Sequence, residues 1–486
     1  MLTALRSPDR REFLTAGIAA LLTALVILAA GHKLGNTTAL FVPLGIVLVV
    51  IVLMRPVLAV ALAAGVAILC EGPAFGLLTP LGHVYDTFYK RLTPLDALVA
   101  LAVLAVGLDM LRTKRPLRYP RELQFVDVIL VLGMISGIVV GHAAGESLKS
   151  LILAENLIAY LLVLPVAIAN LEVSRRTLRL LIGGLFALAV LKGLLGVAEV
   201  GSGKGVSIEG SSNLTYLEPT ANWVIMLAML GIAAALLARL RPPLWMLLGS
   251  PLLVASLVLS FRRSFWIAAV LGLLLVLLLA LSPVGRRLLV PIALVLAAAI
   301  WLLGSISFQS NSPLIKRATS LNPSSLTANV EDRYRLDERA NVLAELEQKP
   351  VTGLGILVGW HADTRPLSVE HEEARTYVHF AALWWWMKLG ILGLLAYAGL
   401  LIATARLSWK VWRGGQEPIL RAFGLASLCG VAGLLVAETT ATFTGSDLRF
   451  TVVLATQIGL LALTSRVIDE RPAAQAESSR VSASIE

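Results

Sequence analysis

Ser264 to Ser282 reads SFWIAAVLGLLLVLLLALS, a stretch without one charged side chain. At about 1.5 Å of rise per residue, a run of this length approaches the ~30 Å hydrocarbon core of a bilayer. Directly before it stand Arg262 and Arg263, and before them lies a second apolar run, 244–260. Working outward, similar runs predict spans at 13–30, 39–54, 57–72, 95–111, 125–142, 150–169, 178–199, 219–238, 288–307, 378–405, 419–441 and 448–465. Long unbroken runs fit helices, whereas barrel strands would alternate in short segments. The predicted fold is therefore all-α: a polytopic transmembrane helix bundle of about 12–14 spans. One large extracytoplasmic loop containing short helices interrupts it. The pair within 39–72 is joined only by Arg55-Pro56, so it can also form a tilted or re-entrant hairpin.

Composition agrees. The chain of 486 residues is 57% hydrophobic and 15% charged, against about 45–50% and 25% for soluble domains. Cys70 and Cys429 both fall in apolar runs and read as small core residues, not as a disulfide or metal site. Arg10-Arg11 before the first run resembles a twin-arginine export signal. The expected role is a basic flank that holds a retained first span.

The net charge of +10 raises nucleic acid as a partner, and the placement of the charges argues against it. With the N-terminus inside, the inner segments collect 23 Lys and Arg, and the short outer segments hold 8. This asymmetry predicts both termini in the cytoplasm and the long loop outside. The domain reading is a cytoplasmic N-terminus (1–12), an N-terminal helix bundle (13–307), an extracytoplasmic catalytic loop (308–377), C-terminal spans (378–466) and a disordered cytoplasmic tail (467–486). No internal repeat of the inverted-repeat transporter kind is visible.

A loop as long as Phe308–Thr376 is uncommon between two spans and is usually functional or disordered. It carries Arg333, Arg335, Arg339, Glu370, His371, Glu372, Glu373 and Arg375. Residues 335–349 have a helical pattern, with Leu336, Leu343 and Leu346 on one face and Pro350, Gly353 and Gly355 ending it. A solvated amphipathic helix on the bundle would show the same pattern, with Glu345 and Lys349 paired. Arg262 and Arg263 sit at an outer span end. Guanidinium groups there suit either lipid phosphate or a bound phosphate. His379 stands where the loop re-enters the membrane, followed by Trp384-Trp385-Trp386, which reads as an interfacial aromatic belt. Asp109, Glu155, Lys192, Glu199 and Glu438 lie in or at spans and favour a transporter as the rival reading.

Three features then fall in order. Ser260-Phe261-Arg262-Arg263-Ser264 opens a span; Arg335 is followed by Pro350-Val351-Thr352-Gly353-Leu354-Gly355; and His379-Phe380 precedes Gly390-Ile391-Leu392-Gly393. Together, over about residues 120–465, they resemble the O-antigen ligase and polymerase superfamily of bacterial envelope glycan enzymes. Two positions depart from that pattern. Phe380 stands where family ligases usually carry Asn, Ser or Gln, and Arg262-Arg263-Ser264 stands for a Ser-Arg-Gly-like turn.

The resemblance implies a membrane glycosyltransferase in the bacterial inner membrane. It would pass a glycan from a polyprenyl-diphosphate carrier to an acceptor hydroxyl in surface polysaccharide biosynthesis. The implied partners are that donor, a glycan, lipid or protein acceptor, and the bilayer. Arg263 and Arg335, with Arg262 and Arg339, would hold the diphosphate. His379 would take the acceptor proton, with His371, Glu372 and Glu373 as reserves. No Asp-x-Asp-type site lies in the loop, so no metal or other cofactor is expected. A multi-span transporter, or a non-catalytic partner of a polysaccharide export complex, is the alternative.

Overall fold

The computed structural model describes residues 49–70, 92–154, 156–202, 206–208, 211–214, 218–240, 242–260, 262–280, 330–367 and 375–483, together with Tyr85. Its helices are α1 (Pro56–Leu69), α2 (Pro94–Thr113), α3 (Arg121–Ala143), α4 (Leu148–Ala154), α5 (Asn156–Ala169), α6 (Arg175–Gly201), α7 (Pro219–Leu237), α8 (Leu244–Leu259), α9 (Arg263–Ala280), α10 (Val330–Gln348), α11 (Ala381–Gly414), α12 (Pro418–Ala437) and α13 (Leu448–Ala483). A small antiparallel hairpin, β1 (Val206–Ile208) with β2 (Ser211–Leu214), joins α6 to α7.

Among the described residues, eight helices are long and apolar enough to cross a membrane, or nine if the bent pair α4–α5 is one span. The protein is a polytopic helical membrane protein. Helices α1 and α8 are apolar but shorter, 14 and 16 residues. At about 1.5 Å per residue neither covers a ~30 Å core unaided, which suits the hairpin reading near Arg55-Pro56. The predicted spans 13–30 and 288–307, and most of 39–54, lie outside the described residues.

The helices form an inner and an outer set. In α13, 83% of the apolar window is buried, and α7 and α12 are similar, whereas in α3 and α9 only 28% is buried. The first group is packed on all sides; the second turns most side chains outward, as helices bordering lipid do. Four hydroxyls of the buried helices α11 and α13 are satisfied locally. Thr404, Ser408, Thr456 and Thr464 each donate to a carbonyl one turn back, at 2.6–2.7 Å. This removes the cost of an unpaired hydroxyl in an apolar interior.

Three sequence expectations change here. Trp384 and Trp385 do not form an exposed belt: both are buried, Trp385 stacked on Tyr397 and Trp384 against Gly445. The run 467–486 reads as a disordered tail, yet α13 continues through Ala483. Ala473, Ala474, Gln475 and Glu477 are good helix formers and extend the preceding span. Leu336 is 46% exposed and does not join Leu346 on the buried face of α10. The buried positions of α10 are Asp332, Tyr334, Glu338, Asn341, Val342 and Leu346, so polar side chains share the inward side with apolar ones.

Candidate active site

Helix α10 crosses over one end of the bundle as a row of polar ties. Residues three apart are neighbours on a helix surface, and Asp332, Arg335, Glu338 and Asn341 form such a row. Asp332 accepts from Arg263 Nη2 at 3.0 and 3.2 Å and from Arg335 Nη1 at 3.0 Å. Glu338 accepts from the His379 backbone N–H at 2.8 Å and lies 3.0 Å from His379 Nδ1. Asn341 accepts from the backbone N–H groups of Thr364 and Arg365 and donates to the Arg365 carbonyl, all at 2.8–2.9 Å. Each tie reaches a different element: the start of α9, the entry to α11, and the loop after Gly359. Replacing Asn341 with Ala is expected to cost about 1–3 kcal/mol, because it strips three hydrogen bonds from a buried site. Faster amide exchange at Thr364 and Arg365 would register it; unchanged exchange would contradict this role.

Six residues separate Asp332 from Glu338, about 9 Å along the helix. Through them α10 sets the Arg263–Arg335 pair within two turns of His379. The arginines differ in access: the Arg263 side chain is 12% exposed and that of Arg335 is 32% exposed. Arg263 can take this place because α8 stops at Leu259 and α9 starts four residues later. Ser260 Oγ donates to the Leu257 carbonyl at 2.7 Å and accepts from the Arg262 N–H at 3.4 Å, which shapes the turn.

His379 is held on several sides. In the tautomer whose Nδ1–H donates to Glu338, Nε2 is left as the imidazole's acceptor. Tyr377 and Tyr334 meet the imidazole edge-on, with centroids 5.0 and 5.9 Å away. The Tyr377 hydroxyl donates to the Thr442 carbonyl at 2.9 Å and accepts from its N–H at 2.8 Å. Burial pushes the Tyr334 hydroxyl above its ordinary pKa; the Glu338 charge adds to this and Arg375 opposes it. Burial likewise raises Tyr377. Both rings are therefore neutral walls around the imidazole.

The remaining sequence-predicted residues fall elsewhere. Arg262 lies near Asp447, whose pKa burial raises while neighbouring N–H donors and Arg262 lower it. Arg339 sits over the Phe380 ring, 4.9 Å from its centroid. The aromatic residue at the departing position is thus a cation–π seat for that arginine. Arg333 lies 4.0 Å from Asp337 and is largely exposed. Glu345 pairs with His361 through Nδ1 at 3.3 Å, in place of the expected Lys349. His371, Glu372 and Glu373 lie outside the described residues.

The charges that favour a transporter are mostly engaged. Asp109 pairs with Arg115, which also holds Glu172 at 2.7 Å. Glu438 accepts from Tyr397 at 2.6 Å and from the N–H groups of Phe443 and Thr444 at 3.1 and 2.6 Å. Its backbone carbonyl also accepts from the Ala381 N–H at 3.0 Å. Glu438 thereby braces the connection beneath His379. Lys192 and Glu199 are buried on α6, and Glu155 lies outside the described residues.

Asp332 and Glu338 carry no signal of their own in the sequence. They stand among many charges of an ordinary-looking amphipathic helix, and their partners lie 69 and 41 positions away.

The glycine motifs have a packing role. Gly390 breaks α11 with φ 65 and ψ −159. The turn after α10 docks there: Leu354 and Gly355 N–H donate to the Met387 carbonyl at 2.8 and 3.1 Å, and Ile391 N–H donates to the Val351 carbonyl at 3.0 Å. Gly355 in turn presses on Gly141 of α3, where a Cβ would lie 2.6 Å from the Gly141 nitrogen. Pro350-x-x-Gly353-x-Gly355 and Gly390-x-x-Gly393 are two halves of one joint, which fixes the entry to α11 and with it His379.

No curated protein matches the chain significantly. Residues 248–398 match a family model described as O-antigen ligase. That segment opens in α8 ahead of Arg263, contains all of α10 and closes in α11 beyond His379, so over these residues the chain is similar to that family.

Proposed function

We propose that the protein is a glycosyltransferase that moves a glycan from a polyprenyl-diphosphate carrier to an acceptor hydroxyl. The observation that carries this reading is the row on α10. It ties an arginine pair to Asp332 and an imidazole to Glu338, two anchors six positions and about 9 Å apart along the axis of one helix. The acceptor oxygen attacks the anomeric carbon as its proton passes to His379 Nε2. The bond from that carbon to the diphosphate oxygen breaks, and the electron pair leaves with the phosphate. Arg335, the more open of the pair, meets the developing charge, and Arg263 keeps it in place through Asp332. Fixed guanidinium groups suit this because they stay charged and donate in a planar fork. Direct attack inverts the anomeric centre.

The proposed orientation puts this end of the bundle outside the cytoplasm. The 23-to-8 split of basic residues supports it. So does the opposite end, where Arg118 pairs with Glu470 and Lys410 with Asp469 in the basic segments assigned to the cytoplasm. On this reading the protein sits in the bacterial inner membrane and serves O-antigen, capsule or exopolysaccharide assembly.

Purified protein supplied with a defined polyprenyl-diphosphate oligosaccharide and an acceptor tests the reading. Arg263→Ala and Arg335→Ala are each expected to lower kcat/KM by about 10²–10³, the usual cost of one transition-state donor. Wild-type rates in both variants would remove the arginine pair from the mechanism.

A further inference from the structure

The segment between α12 and α13, Glu438 to Asp447, reads ETTATFTGSD and folds against the entry to α11. It is held in shape by its own hydrogen bonds. The Glu438 carboxylate accepts from the Phe443 and Thr444 N–H groups at 3.1 and 2.6 Å, and Ser446 Oγ donates to the Thr442 carbonyl at 2.7 Å. The Gly445 N–H donates to Thr451 Oγ1 at 3.0 Å, and the Asp447 carboxylate accepts from the Phe450 N–H at 2.8 Å. These last two bonds tie the segment to the first turn of α13.

Thr442, 2% exposed, is where this frame meets the residues before His379. Its N–H and carbonyl both bond the Tyr377 hydroxyl, at 2.8 and 2.9 Å. Its Oγ1 donates to the Val378 carbonyl at 2.5 Å. The third bond matters most. The Val378 carbonyl and the His379 N–H are the two ends of one peptide unit, and that N–H donates to Glu338 at 2.8 Å. A peptide unit is planar. With its oxygen held by Thr442 and its nitrogen held from α10, the unit cannot turn about its own axis. The orientation of that plane helps set the direction in which the His379 side chain departs. Glu338 then takes Nδ1 as well, at 3.0 Å. Val378 is fully buried, so water does not compete for its carbonyl, and a buried carbonyl needs a partner.

We propose that Thr442 is a positioning residue for transfer. It acts with Glu338, across the peptide between Val378 and His379, to hold the imidazole where Nε2 meets the acceptor hydroxyl. The proposal rests on the transfer reading, but one arm of its test does not need transfer.

Thr442→Val exchanges the hydroxyl for a methyl group and keeps both backbone bonds to Tyr377. The full chain, labelled with ¹⁵N-histidine and purified into lipid discs, gives two readouts. The first is kcat and donor KM with a defined polyprenyl-diphosphate oligosaccharide. The second is the ring ¹⁵N signal of His379, assigned by its loss in His379→Ala. In Thr442→Val, kcat is expected to fall about tenfold or more while donor KM stays unchanged, the scale of a small misplacement of a catalytic group. The ring signal should change from a single Nδ1–H tautomer to a mixture. Thr442→Ser keeps the hydroxyl and should recover both. Thr442→Ala, which leaves space in place of filling it, serves if Thr442→Val does not fold. Placed on Glu338→Gln, the Thr442 substitution should add little, because both act through one peptide unit.

A wild-type kcat with an unchanged ring signal would overturn the proposal, as would a loss that Thr442→Ser does not recover. A ring signal that shifts in Thr442→Val, in a protein whose wild type transfers nothing, would sink the transferase reading alone. Transfer by the wild type with both readouts silent in Thr442→Val would sink this inference alone.

Discussion

Glu338→Gln is expected to lower kcat by about 10²–10⁴, the range that general base catalysis contributes, with the fold intact. The carboxylate is 1% exposed and meets His379 at both its backbone N–H and Nδ1. Glutamine keeps the shape but brings an NH₂ group that can face Nδ1. The imidazole then loses the acceptor that fixes its tautomer and the charge that stabilises the imidazolium formed during proton transfer. Triads in which a carboxylate orients a histidine behave this way when the carboxylate is neutralised. Initial transfer rates alongside thermal unfolding would separate chemistry from stability. A rate within threefold of wild type would mean that Glu338 does not serve His379.

The second large effect is expected at Gly390. Its φ of 65 and ψ of −159 fall in a region that only glycine occupies freely. A Cβ there would stand 2.1 Å from the Val351 carbonyl oxygen and 2.9 Å from that of Thr352. Gly390→Ala therefore meets about 1–3 kcal/mol of backbone strain and about 1–3 kcal/mol more from overpacking against backbone that cannot yield. The joint should open, the turn after α10 should undock from Met387, and His379 should lose its fixed position. Lower thermal stability and loss of transfer together are the expected result. Gly107→Ala is the matched control, since nothing lies within 4 Å of its Cβ and alanine is the better helix former. If both substitutions behaved alike, the joint would not be what holds the site.

Much of the fold was legible because membrane spans are written in composition. A run such as 264–282 has few alternatives once every backbone group must be satisfied internally. The basic pair at 262–263, the Arg-led helix and His379 were legible as breaks in that pattern. The inward groups of α10 were not, because a helix rich in Glu, Asp and Arg looks solvated whichever face is buried. Only the partners reveal that Asp332 and Glu338 turn inward while Leu336 turns out. Trp384 and Trp385 misled for a related reason: tryptophans at a span entry suit both an interface and a core. The β1–β2 hairpin had no distinct pattern in residues 206–214. Gly353 and Gly355 read as helix terminators and Gly390 and Gly393 as a motif inside a span, and their use as a close-packed joint depends on a contact between segments far apart in sequence.

On the proposed function, one helix, α10, sets a guanidinium pair and a histidine base around a single transfer site. The most direct measurement is transfer by purified His379→Ala in a lipid disc, with donor binding followed in the same sample. Donor affinity is expected to stay near wild type, because the arginine pair is untouched, and product formation to fall at least about 10²-fold. Full turnover by His379→Ala would contradict it.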